Sequence, residues 1–182
     1  MASHRDGTRV FYGVYITLLM LYVLVFTAGM GFYSYQVFIP RFEEEFGWTR
    51  FQTVLPAALW AVVYGVSGFF VGAWIQRFGI RRVMVSGTIA GAVLYLAMSM
   101  ITDLWHLWVI VMLSGVTVAA TTLVPAQTLI TLWFNKKRGR AMGFTLMGIG
   151  LGGLTLPPLV AWLIQQVGWR QTYQITAAAT LV

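Results

Sequence analysis

Charge is what this sequence lacks. Of 182 residues only 9% are Asp, Glu, Lys or Arg, against about 25% in a soluble domain. That is too little charge to cover a globule in water, and it points to lipid as the solvent. Cysteine is absent, which excludes a disulfide framework, a thiol nucleophile and any cysteine-based metal site. Histidine is confined to His4 and His106, so no metal-ligand cluster exists and no metal or cofactor is expected. No ionisable pair lies inside the apolar stretches to do acid–base work, so an enzyme is not expected either.

What is present is apolar: 59% of the chain is hydrophobic, with a formal net charge of +7. A basic protein suggests nucleic acid, but that reading needs cations clustered on one face. Here they sit in short groups between long uncharged runs, the pattern of membrane topology. Nucleic acid is therefore not an expected partner, and the lipid bilayer is.

The charges divide the chain into spans. They bracket residues 11–39, 52–75, 83–102, 104–134 and 141–167. Only 12 residues follow Arg170, fewer than the roughly 20 a helix needs to cross, so 171–182 reads as an incomplete sixth span. The uncharged run from Val10 to Pro40 is 31 residues long, well beyond the 7–15 or so of a signal-peptide core, and reads as a retained first span. Each span exceeds the roughly 9–11 residues of a membrane strand, and none alternates polar with apolar. The expected fold is an all-α membrane bundle. Trp105, His106 and Trp108 open the fourth span as interface residues.

Lysine and arginine set the orientation. Nine of them (Arg5, Arg9, Arg77, Arg81, Arg82, Lys136, Lys137, Arg138 and Arg140) fall on one side, and Arg41, Arg50 and Arg170 on the other. Positive loops stay inside, which places the N-terminus in the cytoplasm and makes Lys136, Lys137, Arg138 and Arg140 a topology anchor. Glu43, Glu44, Glu45 and Asp103 fall on the opposite side.

Small and polar residues within the spans carry the next layer. Gly65, Gly68 and Gly72 share a face of the second span, Gly87 and Gly91 of the third, and Gly148 and Gly152 of the fifth. Such spacing suits close helix contact, as static packing or as a sliding seam. Pro157 and Pro158 break the ladder of the fifth helix and predict a kink. On the fourth span Ser114, Thr117, Thr121, Thr128 and Thr131 fall on about a third of the circumference. On the first, Thr27, Gly31, Ser34, Tyr35 and Phe38 make a comparable face. Each hydroxyl could bond back to its own helix, or the stripes could line a water-filled path. Gln36, Tyr64 and Gln127 read as helix-bridging hydrogen bonds. Phe46-Gly47-Trp48-Thr49-Arg50 is echoed by Val167-Gly168-Trp169-Arg170, which is compatible with a three-plus-three inverted repeat.

Several stretches now resemble a known family. Gly72-Ala73-Trp74-Ile75-Gln76-Arg77-Phe78-Gly79-Ile80-Arg81-Arg82 is similar to the loop signature of the major facilitator superfamily, with Gln76 in place of its aspartate. Trp133-Phe134, Lys136-Lys137-Arg138-Gly139 and Gly168-Trp169-Arg170 are similar to the monocarboxylate transporters and oxalate/formate antiporters within it. The resemblance covers nearly the whole chain, but only the first half of a twelve-helix carrier. It implies a six-helix N-terminal bundle and transport of a small organic anion by alternating access, with a coupling proton or counter-anion. It also implies a C-terminal half or second copy as partner, and a location in the inner or plasma membrane. The implied substrate path is Thr27, Ser34, Tyr35, Tyr64, Thr117, Thr121, Gln127 and Thr128. The implied cytoplasmic gating loop is Gly72, Gln76, Arg77, Gly79, Arg81 and Arg82. The fourth span lacks the arginine of proton-coupled drug antiporters, which argues against a drug exporter. The first lacks the lysine that some monocarboxylate carriers place near Tyr33–Gln36. The alternative is a small membrane protein that binds or scaffolds without transport, or a split-transporter subunit.

Overall fold

The computed structural model describes residues 6–134 and 138–181, with side chains from Gly13 onward. Every regular element among them is helical. Helix α1 (Asp6–Ala28) passes through a π-helical segment (Gly29–Ser34) into α2 (Tyr35–Phe46). Then come α3 (Arg50–Phe78), α4 (Ile80–Ser99), α5 (Leu104–Thr121), α6 (Leu123–Trp133), α7 (Arg138–Val167) and α8 (Trp169–Thr180). Five stretches are long and apolar enough to cross a bilayer: Gly13–Phe46, Arg50–Phe78, Ile80–Ser99, Leu104–Trp133 and Arg138–Val167. Large apolar side chains such as Phe69, Leu132 and Leu154 point outward, as they can where the surroundings are hydrocarbon rather than water.

The first span differs from a uniform helix. It runs on to Phe46, through Pro40, and its middle turn is π-helical. The Ser34 hydroxyl donates to the Gly29 carbonyl five residues back, at 2.8 Å, a spacing that matches the wider turn. The fourth span is not one helix either. It breaks at Thr122, with φ −103° and ψ −114°, and Pro125 is the reason. Proline has no N–H for the carbonyl of Thr121, and its ring clashes with that carbonyl. A regular stripe from Ser114 to Thr131 is therefore interrupted: Ser114, Thr117 and Thr121 lie on α5, Thr128 and Thr131 on α6. Helix α7 continues through Pro157 and Pro158.

Two of the three glycine faces are true seams. A side chain at Gly148 would meet the Leu21 carbonyl at 2.7 Å, and one at Gly152 would strike the Val25 carbonyl. Gly29 likewise sits against Leu156 and Gly152. The α1–α7 contact is thus backbone against backbone, where packing replaces the missing hydrophobic drive. A side chain at Gly87 would meet Ala120 at 2.9 Å, so this glycine joins α4 closely to α5. The second-span face is the exception. A side chain added at Gly65 or Gly72 would meet nothing within 4 Å, and one at Gly68 would only touch Val124 at 3.9 Å. This face is open among the described residues.

The C-terminal ends of the first and fifth spans meet. Gly47 and Gly168 hold φ of 68° and 84°, the left-handed region that other residues avoid, and so each ends a helix in a tight turn. The turns place Glu45 against Trp169 and Arg170. The Trp169 indole donates to the Glu45 carboxylate at 2.5 Å, and the Arg170 guanidinium pairs with the same group. Phe46 also meets the Trp169 ring at 6.2 Å and the Arg170 guanidinium at 5.9 Å, so the two echoed sequences are direct partners. Behind them, Phe38 and Phe42 pack on Tyr173 and Trp169 and dock α8 onto α2.

These contacts predict opposite responses to one added methyl group. Gly152→Ala is expected to cost about 1–3 kcal/mol through overpacking against backbone that cannot yield. Gly65→Ala is expected within about 0.5 kcal/mol of neutral, or stabilising through helix propensity. Thermal unfolding in detergent compares them, and equal midpoints would refute the seam.

Candidate substrate cavity

Proline shapes the half of the bundle that carries the Gly47 and Gly168 turns. Pro56 lies four residues after Gln52 on α3, so the Gln52 carbonyl loses its helical donor. The Trp108 indole of α5 takes its place, donating at 3.1 Å. Nearby, the Tyr35 hydroxyl donates to the Thr53 carbonyl at 2.8 Å. These bonds tie α2 and α5 to the first turns of α3. Further along, Gly115 lets α5 approach the Trp60–Tyr64 turn closely, where a side chain would meet the Trp60 carbonyl at 3.1 Å.

A cavity of about 260 Å³ opens beside that turn. The π segment presents Met30, Gly31 and Phe32 to it, and Tyr35 and Gln36 continue the wall. Trp60 faces them from α3, Tyr95 from α4, Ser114 from α5 and Tyr173 from α8. No Asp, Glu, Lys, Arg or His among the described residues lines it. Phe32 and Trp60 form an aromatic shelf on its wall, and Tyr64, which does not line the cavity, packs behind them. Phe32 meets Trp60 edge-on at 4.7 Å and Tyr64 at 5.3 Å, while Trp60 and Tyr64 stack at 5.3 Å. The Tyr64 hydroxyl is 3.1 Å from that of Thr122. Thr122 directs its one proton to the Val118 carbonyl, so Tyr64 is the donor. The shelf is thereby tied to the α5–α6 break.

A second cavity, of about 600 Å³, lies between α1, α4, α5 and the last turn of α8. Thr27, Thr117 and Thr121 line it together. Each hydroxyl donates to its own helix: Thr27 to the Val23 carbonyl at 2.6 Å, Thr117 to Ser114 at 2.9 Å and Thr121 to Thr117 at 3.1 Å. Their oxygens remain free to accept.

The other residues that the sequence singled out are dispersed. Ser34 is fully buried on Gly29. Thr128 bonds to the Val124 carbonyl at 2.8 Å and lines neither cavity. Of the three large polar groups, Tyr64 does bridge helices. Gln36 and Gln127 do not: both are exposed, with no hydrogen bond among the described residues. In the α3–α4 loop, Gly79 ends α3 by donating to the Ile75 carbonyl at 2.9 Å. Gln76, Arg77, Arg81 and Arg82 are all exposed, and Gly72 is half-buried. The Arg77 guanidinium stands 5.4 Å over the Phe78 ring. None of the three arginines has an ion-pair partner among the described residues. Arg138 and Arg140 open α7, and Arg138 caps the Phe134 carbonyl at 2.6 Å. Lys136 and Lys137 lie outside the described residues.

Trp60, Tyr95 and Tyr173 were not among the residues that sequence reasoning selected. The available signal was Trp60 and Tyr64 four residues apart, one face of a membrane helix carrying two aromatic groups with donors.

Residues 21–182 match the Major Facilitator Superfamily. The chain belongs to this family. It is 26% identical over 160 residues to an uncharacterised transporter of the same type, YcxA of Bacillus subtilis, covering 86% of this chain and 39% of that protein. It is 30% identical over 151 residues to monocarboxylate transporter 13 of Bos taurus, covering 79% and 33%. The fold is similar to that of a bacterial homologue of the human peptide transporters PepT1 and PepT2, with a TM-score of 0.72 at 19% identity, covering 92% of this chain and 39% of that one. The chain therefore spans between a third and two fifths of the length of these relatives. It is a multi-pass membrane protein with the fold of a membrane transporter.

The substitute cap on Gln52 gives a thermodynamic cycle. Trp108→Phe is expected to cost about 1 kcal/mol by leaving that carbonyl unpaired. In a Pro56→Ala background, where an amide N–H is restored, the same change should cost less. Equal costs in both backgrounds, read from thermal midpoints in detergent, would remove the coupling.

Proposed function

We propose that the chain is the N-terminal half-bundle of a secondary transporter for a small organic anion, of the monocarboxylate or oxalate/formate kind. The observation that carries this reading is the 260 Å³ cavity with its uncharged, aromatic, donor-bearing wall. It is smaller than the roughly 300–1,000 Å³ typical of drug-sized ligands. A wall without carboxylates also offers nothing to hold the amino group of a peptide. The likeness to monocarboxylate transporter 13 supports the same substrate class.

In this reading the bundle rocks against a C-terminal half, or a second copy, about a midplane site. The partner supplies the charge that neutralises the anion. A proton or a counter-anion is coupled to the movement. The open glycine face of α3 receives the partner, and Thr27, Thr117 and Thr121 line the path below the aromatic shelf. On the cytoplasmic side, Gln76, Arg77, Arg81 and Arg82 find partners across the seam in one state and lose them in the other. Only such differential contacts shift the balance between states. The positively charged loops keep the N-terminus in the cytoplasm of a cell bounded by this membrane.

The test is uptake by proteoliposomes holding this chain together with a C-terminal half from a related carrier. Labelled lactate or oxalate should accumulate above empty vesicles. Arg77→Ala should lower uptake roughly fivefold, the effect of about 1 kcal/mol. Uptake of a labelled dipeptide in place of either anion would overturn the substrate class. No uptake of any of them, with Arg77→Ala silent, would favour a non-transporting membrane protein.

A further inference from the structure

The arginines at the two ends of the bundle have different surroundings. At the end that carries Gly47 and Gly168, Arg41 pairs with Glu44, Arg50 with Glu43 and Arg170 with Glu45. At the opposite end, Arg77, Arg81, Arg82 and Arg140 have no acid partner among the described residues. Two of these four stand on apolar hollows. Arg82 is the one charged residue on the wall of a groove of about 450 Å³ between α3, α4 and α5. A smaller groove between α1 and α7 sets Arg140 beside Phe134 and Phe144.

The larger groove starts at the membrane surface and follows α4 inward. All three of its helices belong to crossing stretches. Its wall runs from Arg82, in the first turn of α4, to Ala90, about 12 Å along the helix axis. The hydrocarbon of one leaflet is about 15 Å deep. Trp74 and Phe78 of α3 border the groove and are exposed. Gly87 and Ala90 hollow it out, and Val116 lines it from α5. The two hydroxyls on the wall are committed to their own helices, Ser86 to the Val83 carbonyl at 3.0 Å and Thr117 to the Ser114 carbonyl at 2.9 Å. Beyond the guanidinium, the wall therefore has no side-chain donor to spare.

We infer that this groove seats an anionic phospholipid of the leaflet facing the α3–α4 loop, its phosphate on Arg82 and one acyl chain along Gly87, Ala90 and Val116. A guanidinium matches a phosphate with two parallel hydrogen bonds, and basic pockets between membrane helices suit anionic headgroups. A free phosphate would use the guanidinium and leave the apolar wall empty. A zwitterionic lipid would fill the wall but bring its own cation beside Arg82. An anionic lipid satisfies both parts of the site. The inference needs only the bilayer, so it stands apart from the transport reading. On that reading, the phosphate serves Arg82 in the state that lacks a partner across the seam.

The test is native mass spectrometry of the 182-residue chain released from detergent and titrated with dioleoyl phosphatidylglycerol or dioleoyl phosphatidylcholine. Phosphatidylglycerol should bind about fivefold more tightly, the gain expected from one cation at a lipid surface. Arg82→Gln should remove that preference, while Arg81→Gln, on a residue outside the groove wall, should keep it. Ala90→Trp leaves every charge in place and fills the groove, and should weaken phosphatidylglycerol as well. Equal binding of the two lipids overturns the inference. Equal losses from Arg82→Gln and Arg81→Gln overturn it too, in favour of general surface charge. Unchanged binding in Ala90→Trp, or displacement of the lipid by soluble glycerol phosphate at equal concentration, shows that the acyl chain does not occupy the groove and overturns it on that side.

Discussion

The bundle depends on one close approach. The carbonyls of Leu21 and Val25 occupy space that a side chain at Gly148 or Gly152 would need. In water two helices are driven together by burying apolar surface. In lipid that drive is nearly absent, and contact must come from packing and polar bonds at short range. Two glycines on α7 permit this along α1. The same seam holds Gly29, the first residue of the π segment, against Gly152 and Leu156. The cavity wall above the seam is therefore positioned by it: the segment that turns Gly31 and Phe32 toward the cavity begins where α1 and α7 touch most closely.

Proline is the second organising element, and it acts by removing donors rather than by bending alone. Pro56 leaves the Gln52 carbonyl to the Trp108 indole. Pro125 forces the break at Thr122, whose hydroxyl then receives Tyr64. At Pro56 an aromatic residue with a polar end supplies the missing bond; at the Pro125 break Tyr64 instead donates to the Thr122 hydroxyl, its ring in the apolar packing. Trp60 stands apart from them, because its indole meets no such group among the described residues.

Much of the fold was legible because charge is so scarce. Where Asp, Glu, Lys and Arg occur only at span ends, their spacing alone marks out the five crossing stretches. The small-residue seams on α4 and α7 were legible for a similar reason, since glycine in a membrane helix has few other uses. The direction in which a glycine face points was not. Gly65 and Gly72 share a face of α3 as Gly148 and Gly152 share one of α7, yet they face open space, because spacing fixes a shared face but not what covers it. The polar stripes failed through register. They assumed 100° per residue across Gly29–Ser34 and across Thr122, where one π-helical turn and one break rotate the residues beyond them. As a result Thr27 belongs to one cavity and Tyr35 to another. Hydroxyl content was a poor guide to the cavity for a further reason: a Ser or Thr in a helix has a carbonyl at hand, and an indole does not.

On the proposed reading, that difference bears on how a charge-free half-bundle would take part in handling an anion. A fixed cation here would bind the anion in both conformations, and binding of equal strength in both shifts nothing. Neutral donors hold it more weakly and only at close range. The strength of the site then depends on whether the opposing half is near enough to add its charge. The arginines of the α3–α4 loop have the same character at the membrane surface. They are exposed and without ion-pair partners among the described residues. On the same reading, the loop presents charged groups that would find their partners across the seam with the opposing half. A carrier built this way keeps its stability within each half, in the glycine seam and the proline-coupled caps. It keeps its switching between halves, where contacts can be exchanged without unfolding anything.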